Sequence, residues 1–443
     1  MPAEPTPPGG TTVGSGVGRL ISTVKHGARH LTDRMIEPYV DRTVERVASR
    51  MSSASPVTEA PPAAPLPPPF ATCHGSLHEG RTMALADMPG GCDTVLSMGA
   101  NGQWYFDWFD DHYGHIPRHI GVEAYMPRPD VLPDNVEWVE ADLASPEGVA
   151  MLGPGTVDMV FSGQNIEHLW PDQVQAFLVE SSRVLRGGGW LVLDSPNREL
   201  TADYQWSMGE HTIEFTPDEA IDLLALAGFD VVTMKGIWLC RQDGELLPLE
   251  PPGTVEGSAD VLRRMILATR RPEDSFIWWA EARKAGEPDV EGLGSAVRAI
   301  FDANWRERVG RMRAGEAATV TDDGEQRTAV VAKGVEDYVV LGPWMALRAG
   351  PYRFSVDIDW SGFVEAGTTP AAVLEVVAGD ELIESSVFMP TTPEGTATLS
   401  CPFELDELRF AVHARLRGTG AAGLRAPLTL AVHPDPYGVD RAG

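Results

Sequence analysis

From Phe70 to about Pro251 short apolar runs alternate with stretches of three-four periodicity. Val95–Met98, His119–Val122, Val136–Val139, Val157–Ser162 and Trp190–Asp194 each read as a brief buried strand. Between the last two, Asp172–Leu185 puts Val174, Phe177, Leu178, Ser181 and Leu185 on one helical face. Arg186-Gly187-Gly188-Gly189 then reads as that helix's end. Thr216-Pro217-Asp218-Glu219 has the cap, proline and acids of a helix start, and the helix is predicted to run to Gly228. Phe229–Met234 and Ile237–Arg241 follow as a closing pair of strands. Strands alternating with helices at this spacing predict a parallel α/β sheet over 70–251.

The pattern changes on either side. Residues 252–312 are predicted helical, with SFIWW (275–279) between two amphipathic stretches. From about Gly315, seven β-like runs follow: Tyr338–Leu341, Tyr352–Asp359, Ala372–Val377, Leu382–Phe388, Thr396–Cys401, Leu408–Leu416 and Leu428–His433. Gly, Pro and Asp separate them, which predicts an all-β sandwich, jelly-roll-like, over 313–437. At the other end, residues 1–16 are rich in Pro and Gly and are expected to be disordered. Val17, Ile21, Val24, Ala28, Leu31 and Met35 then set up a heptad seam that Val40, Val44, Val47 and Met51 resume past Pro38. This 17–51 segment carries seven Arg/Lys against four Asp/Glu. It reads as a coiled-coil helix for homo-oligomerisation or partner docking, as an amphipathic helix on an anionic membrane surface, or as a helix packed on its own domain. A proline-rich linker, 52–69, joins it to the rest.

Charge narrows the partners. The 443 residues carry 64 Asp+Glu against 35 Lys+Arg, a formal −29, and so acidic a surface repels phosphate backbones; no nucleic acid is expected. Cys73, Cys92, Cys240 and Cys401 form no close pair, so neither a disulfide framework nor a zinc site is expected. With no apolar run of membrane-spanning length, the expected location is the cytoplasm, with a peripheral place at the inner membrane face left open by the basic helix.

In a parallel sheet, ligand groups gather at the carboxyl ends of the strands. The first strand leads into Gly99-Ala100-Asn101-Gly102, where glycines let backbone approach a ligand and a helix N-terminus offers free N–H groups. After the second comes Glu123, a carboxylate able to take both hydroxyls of a ribose, although a solvated strand-end acid would read the same. After the third come Asp142 and Leu143, suited to the edge and face of an adenine ring, and after the fourth Ser162, Gln164, Asn165, Glu167 and His168.

Two segments carry a resemblance. FSGQNIEHLWPDQVQAFLVESSRVLRGGGWLVLDSPNR (161–198) and HTIEFTPDEAIDLLALAGFDV (211–231) resemble the fourth and fifth strands and a late segment of class I S-adenosylmethionine-dependent methyltransferases. The resemblance spans about Val95 to Val232. It implies a Rossmann-like seven-stranded sheet with S-adenosyl-L-methionine as cofactor: Ser97, Gly99, Asn101 and Gly102 at its methionine end, Glu123 at the ribose, Asp142 and Leu143 at the adenine, Ser162 and Gln164 nearby. The family's acid at the first strand end is replaced here by Ser97, and its middle glycine by Asn101, a residue that tolerates left-handed backbone.

Methyl transfer to a hydroxyl needs a group to take the proton, and His168 is the first candidate, with Glu167 to orient it. His211 with Glu214 is the second. Glu167 and His168 with Asp194 also have the makings of a cation site, but the spacing does not require one and no metal is expected. GPWMALRAGPYRFSVDIDW (342–360) and ELRFAVHARLRGTG (407–420) are similar to β-sandwich modules of bacterial glycosyltransferases and surface-polysaccharide enzymes. Trp344, Tyr352, Trp360 and Phe363 are candidates for stacking on sugar rings, against the default that such aromatics are core. Together these imply an O-methyltransferase acting on a sugar hydroxyl in polysaccharide biosynthesis, with a glycosyltransferase as a candidate partner. The alternatives are a non-catalytic carbohydrate-binding scaffold with a degenerate methyltransferase domain, and a methyltransferase for a small secondary metabolite.

Overall fold

The computed structural model describes residues 72–434 apart from 101, 125, 142–148, 205, 207, 209–210, 252–257, 307–308, 323–326 and 365–368. The expected N-terminal segments 1–16, 17–51 and 52–69 lie outside the described residues, as do Asn101, Asp142 and Leu143.

The α/β unit begins with helix α1 (Cys73–Ala86), then β1 (Thr94–Met98), α2 (Gln103–His112), β2 (Arg118–Glu123), β3 (Val136–Glu140), β4 (Val157–Gly163), α3 (Pro171–Val184) and β5 (Leu185–Pro196). It continues through the short α4 (Arg198–Asp203), α5 (Pro217–Leu226), β6 (Phe229–Leu239), a small pair β7 (Arg241–Gln242) and β8 (Glu245–Leu246), α6 (Ser258–Ala268), β9 (Ser275–Lys284) and α7 (Val290–Arg306). The large sheet has the order β3-β2-β1-β4-β5-β9-β6. β1 to β5 are parallel, and β9 runs antiparallel between β5 and β6. The strand order reverses between β1, which leads outward to β2 and β3, and β4.

Alternation along the strands builds a core on each face. Leu96, Val160, Leu191 and Leu193 point into one, with Val174 and Phe177 of α3, Leu223 of α5 and Val297 of α7. Val95, Met159, Phe161 and Val192 point into the other, with Leu85 of α1, Phe106 and Phe109 of α2 and Met265 of α6. α5 starts as its sequence predicts: Thr216 Oγ1 accepts from Glu219 N–H and Glu219 Oε2 accepts from Thr216 N–H.

Three expectations about this unit are corrected. The 252–312 segment is not helical throughout, because its middle is β9, a central strand. The closing pair of strands is a single strand, β6, whose partner is β9. Arg186-Gly187-Gly188-Gly189 lies inside β5, where the three residues of β4 from Val157 to Met159 face the six from Leu185 to Trp190, a bulge.

The C-terminal unit is all β: β10 (Val309–Arg311), β11 (Arg313–Ala314), β12 (Thr319–Asp322), β13 (Arg327–Val331), β14 (Glu336–Leu347), β15 (Gly350–Ser361) and β16 (Ala372–Ala378). It ends with β17 (Glu381–Phe388), β18 (Gly395–Leu405), β19 (Arg409–Thr419), β20 (Gly423–Pro427) and β21 (Thr429–Pro434). One antiparallel sheet runs β10-β21-β15-β20-β13-β12 with β18 also on β15, and the other runs β11-β14-β19-β16-β17. Phe354, Val356 and Phe403 of the first share a core with Leu374, Val376, Val412 and Leu416 of the second. Among the described residues no helix is long and apolar enough to cross a membrane.

Candidate active site

The turn after β1 is held against the end of β2. The N–H groups of Gly99 and Ala100 both donate to the carbonyl of Val122, at 2.9 and 3.2 Å. Glu123, the next residue, therefore ends its strand beside the turn. Its side chain is nearly buried, and its Oε1 accepts from the N–H of Ala124 at 3.0 Å and of Met126 at 3.3 Å. Gly99 and Gly102 both have φ of +82°, a left-handed conformation that side chains resist. A Cβ on Gly99 would press on Asn165 at 3.1 Å, while one on Gly102 would meet only the edge of Trp104. Gly102 is the N-cap of α2 and supplies no side-chain bond, so the first N–H groups of that helix are left for a ligand.

Ser97 takes another role. It is fully buried and its Oγ lies 2.7 Å from Nε2 of His119 on β2, inside the aromatic core under α2, so it offers the cleft neither charge nor hydroxyl. Ser162 is likewise structural: its hydroxyl donates to the carbonyl of Met98 and accepts from Asn165 Nδ2, pinning β4 to the β1 turn. Gln164 sits in the left-handed region at φ +54°, and its Nε2 reaches Asp194 Oδ2 at 3.2 Å.

Asp194, two residues before the end of β5, has no exposure and is held by Arg81 of α1, Nε to Oδ2 at 2.5 Å and Nη2 to Oδ1 at 3.2 Å. The Arg81 guanidinium also lies 5.4 Å from the Trp108 ring. Arg81 escaped the sequence reading because it comes from a helix preceding the first strand, and no spacing ties it to β5.

Beyond β4 the chain makes one turn of 3-10 helix, Ile166–His168. Glu167 and His168 are tied there to the segment before α5: Thr212 and Ile213 N–H donate to the Glu167 carbonyl at 2.7 and 3.1 Å, and Thr212 Oγ1 donates to the His168 carbonyl at 2.9 Å. His211 is thereby brought to His168, ring centroids 4.8 Å apart and edge to face. The two candidates for proton transfer thus form a single cluster. His211 Nδ1 lies 2.7 Å from Glu214 Oε1, and Glu214 Oε2 accepts from Thr201 Oγ1. Glu167 has no exposure, and neither of its oxygens makes a hydrogen bond of good geometry, although the Ser195 hydroxyl is near enough to favour its charged form. Burial pushes its carboxyl up to about 7, against the pull of the His211 ring. Asp194, considered with this group from sequence, is committed to Arg81 instead.

Of the four aromatics considered for sugar stacking, Tyr352 and Phe363 are buried core, 3% and 5% exposed. Trp360 is half-buried, with its indole N–H on the Thr392 carbonyl. Trp344 is exposed, beside His413 and Arg313.

Residues 121–193 match the methyltransferase domain family. A protein of Mycobacterium tuberculosis described as a probable S-adenosylmethionine-dependent methyltransferase is 37% identical over 124 residues, 26% of this chain and 39% of that protein. A similarly described protein of Mycolicibacterium smegmatis is 36% identical over 124 residues, 26% of this chain and 41% of its own length. The chain thus spans about two fifths of the curated relatives it matches. Among solved structures, an Archaeoglobus fulgidus SAM-dependent methyltransferase aligns at 18% identity and TM-score 0.32, over 47% of this chain and 92% of that one. One from Mesorhizobium loti aligns at 15% and 0.32, over 48% and 99%. The family match covers the stretch from the middle of β2 to Leu193 in β5, which is therefore similar to a methyltransferase domain.

Proposed function

We propose that this chain is an S-adenosylmethionine-dependent O-methyltransferase. The observation that carries the reading is the pairing of Gly99 and Ala100 N–H with the Val122 carbonyl, which sets a ligand-accessible glycine turn and an uncapped helix end beside the Glu123 carboxylate. These residues fit the cofactor: Gly99 and Gly102 clear the backbone for its methionine end, and Glu123 has the charge and position for a ribose diol. When bound, the sulfonium supplies an electrophilic methyl group. Asn101, Asp142 and Leu143 complete the proposed cofactor contacts. Ser97 contributes no carboxylate, so the methionine end relies on backbone groups.

The acceptor side is the Glu167–His168–His211 cluster, where a hydroxyl would meet its proton acceptor. His168 is its most open member, and His211 is oriented by Glu214. A glycan hydroxyl is the proposed acceptor, and exposed Trp344 on the attached β unit is the side chain that favours a sugar. Surface-polysaccharide biosynthesis, with a glycosyltransferase or a membrane surface engaged through the N-terminal segment, is the setting proposed for it. The competing reading, a scaffold with a lapsed site, draws on Ser97 and its bond to His119.

Titration calorimetry of the full chain with S-adenosylmethionine separates the two. One saturable site is expected, and Glu123→Ala weakens it about 10- to 100-fold, the worth of hydrogen bonds to a charged group. Absence of saturable binding overturns the methyltransferase reading in favour of the scaffold. Mass analysis of surface glycans from cells with and without the protein then tests the acceptor, each transfer adding one methylene.

A further inference from the structure

We propose that Glu167, His168 and His211 form a binding site for a divalent first-row transition ion of the zinc type. This rests on the methyl-transfer reading only in placing the ion on the acceptor side of the cleft. With an ion bound, His168 and His211 would serve as its ligands, and the ion itself would favour loss of the proton from an acceptor hydroxyl bound to it.

The donor set comes first. One ligand atom from each of the three residues lies within 4.8 Å of the others. Two imidazoles and a carboxylate are a ligand set for zinc and its neighbours, with at least one position left for water or an acceptor oxygen, whereas magnesium and calcium take oxygen donors. Around an ion with bonds of about 2.1 Å, tetrahedral donors stand about 3.4 Å apart, so side-chain rotation of roughly an ångström closes the set. His168, partly exposed, has room for it.

Independent of the donors is the state of Glu167. A carboxyl with no exposure and no well-formed hydrogen bond on either oxygen, with the Ser195 hydroxyl near it, costs desolvation energy that an apolar residue of the same volume would avoid. A cation bound at those oxygens accounts for a carboxylate in that position.

The surroundings are built as those of a metal ligand. Glu214 occupies Nδ1 of His211, which leaves Nε2 as the ligand atom and fixes the tautomer, and Thr201 holds Glu214 in turn. The backbone bonds from Thr212 and Ile213 to Glu167, and from the Thr212 hydroxyl to His168, clamp the two ligand-bearing segments together before any ion arrives. Asp194 is excluded as a fourth ligand by its pairing with Arg81.

The test is titration of the metal-free full chain with zinc chloride, with magnesium chloride as contrast. One tight zinc site per chain is expected, bound at least 100-fold more tightly than magnesium, and zinc should raise the melting temperature. His168→Ala and Glu167→Gln should each lower that affinity at least tenfold, and Glu214→Gln about 10- to 100-fold through loss of the supporting bond. His168→Ala guards against misfolding, since the residue is partly exposed and the metal-free variant should melt as the wild type does. Zinc affinity unchanged in both His168→Ala and Glu167→Gln overturns the site. S-adenosylmethionine titrations in excess chelator keep the two readings apart. Cofactor binding without a zinc site overturns only the ion, and a zinc site without cofactor binding supports the ion and overturns the methyl-transfer reading.

Discussion

The replacement of an acid by Ser97 becomes intelligible through His119. The imidazole is 2% exposed, edge-on to Phe106 and Phe109, and its one polar neighbour among the bonds described is the Ser97 hydroxyl. Burial pushes its pKa down from 6.5 to about 3. In the unfolded chain the same ring takes a proton near pH 6.5. Below that value the unfolded state gains a proton the folded state refuses, so stability falls as pH falls, at about 1.4 kcal/mol per unit until the folded pKa is reached. Above pH 6.5 the contribution is flat. Urea unfolding at pH 6.5 and pH 5 should therefore differ by about 2 kcal/mol from this ring alone, and His119→Gln should remove that part of the slope even though it lowers stability at both pH values. Equal slopes in the two proteins would show that His119 is not the group responsible. Gly99 and Glu123 were legible in the sequence because they are local to strand ends. The bond from Ser97 to His119 was not, because it joins neighbouring strands whose register is unknown until the sheet is assembled.

At the scale of elements, the short apolar runs of β1, β2 and β4 were read as strands although both their faces are buried, and the misreadings have separate causes. β9 is buried on both faces over Ser275–Ala282, so its sequence lacks the alternation that marks a half-buried strand, and it lies between helical stretches. β6 looked like two strands because Lys235-Gly236 resembles a turn. Gly236 is there for a different reason: a Cβ would strike the Ser275 side chain and the Ala268 carbonyl, where β9 and the end of α6 cross close by. The glycines at 187–189 suit a helix end as well as a bulge, and only the pairing with β4 distinguishes the two. Gly228 does what its sequence suggests. It follows α5 at φ +83°, and its carbonyl accepts from Ala285 and Gly286 N–H just past β9. A Cβ there would stand 2.6 Å from the Gly286 carbonyl oxygen, which is backbone and has little room to move. Gly228→Ala should cost about 2–4 kcal/mol from left-handed strain and overpacking together. Chemical denaturation measures it, and a loss below 0.5 kcal/mol, on the order of a surface change, would show that the junction relaxes.

Across the whole molecule, the α/β unit and the β unit share a core instead of meeting through a linker. α7 lies against α3 and α5 and reaches β21. At its end Phe301 and Trp305 stack at 5.0 Å, Trp305 lies 5.4 Å from Trp170, and Trp170 lies 6.2 Å from Tyr352 of β15. All four rings are at most 4% exposed. Arg348 closes the junction, its guanidinium 4.9 Å from the Trp170 ring and bonded to both Asp172 oxygens at 2.8 and 2.9 Å. Asp172 is exposed, so that ion pair adds little stability, and the aromatic cluster carries the coupling. Trp170 stands two residues past His168, so the β unit braces the turn that bears the acceptor-side cluster. If the rings weld the units, the described body should unfold in one calorimetric transition. Trp170→Ala removes the ring that joins Phe301 and Trp305 to Tyr352 and should cost about 3–5 kcal/mol. That loss falls on the contact between the units more than on either core, so the single transition should split in two, the β unit melting apart from the sheet that holds Glu123. Cofactor affinity should be retained, because the Gly99 turn and Glu123 lie in contacts made wholly within the α/β unit. A single transition merely shifted to lower temperature would show that the units are coupled by more than this cluster.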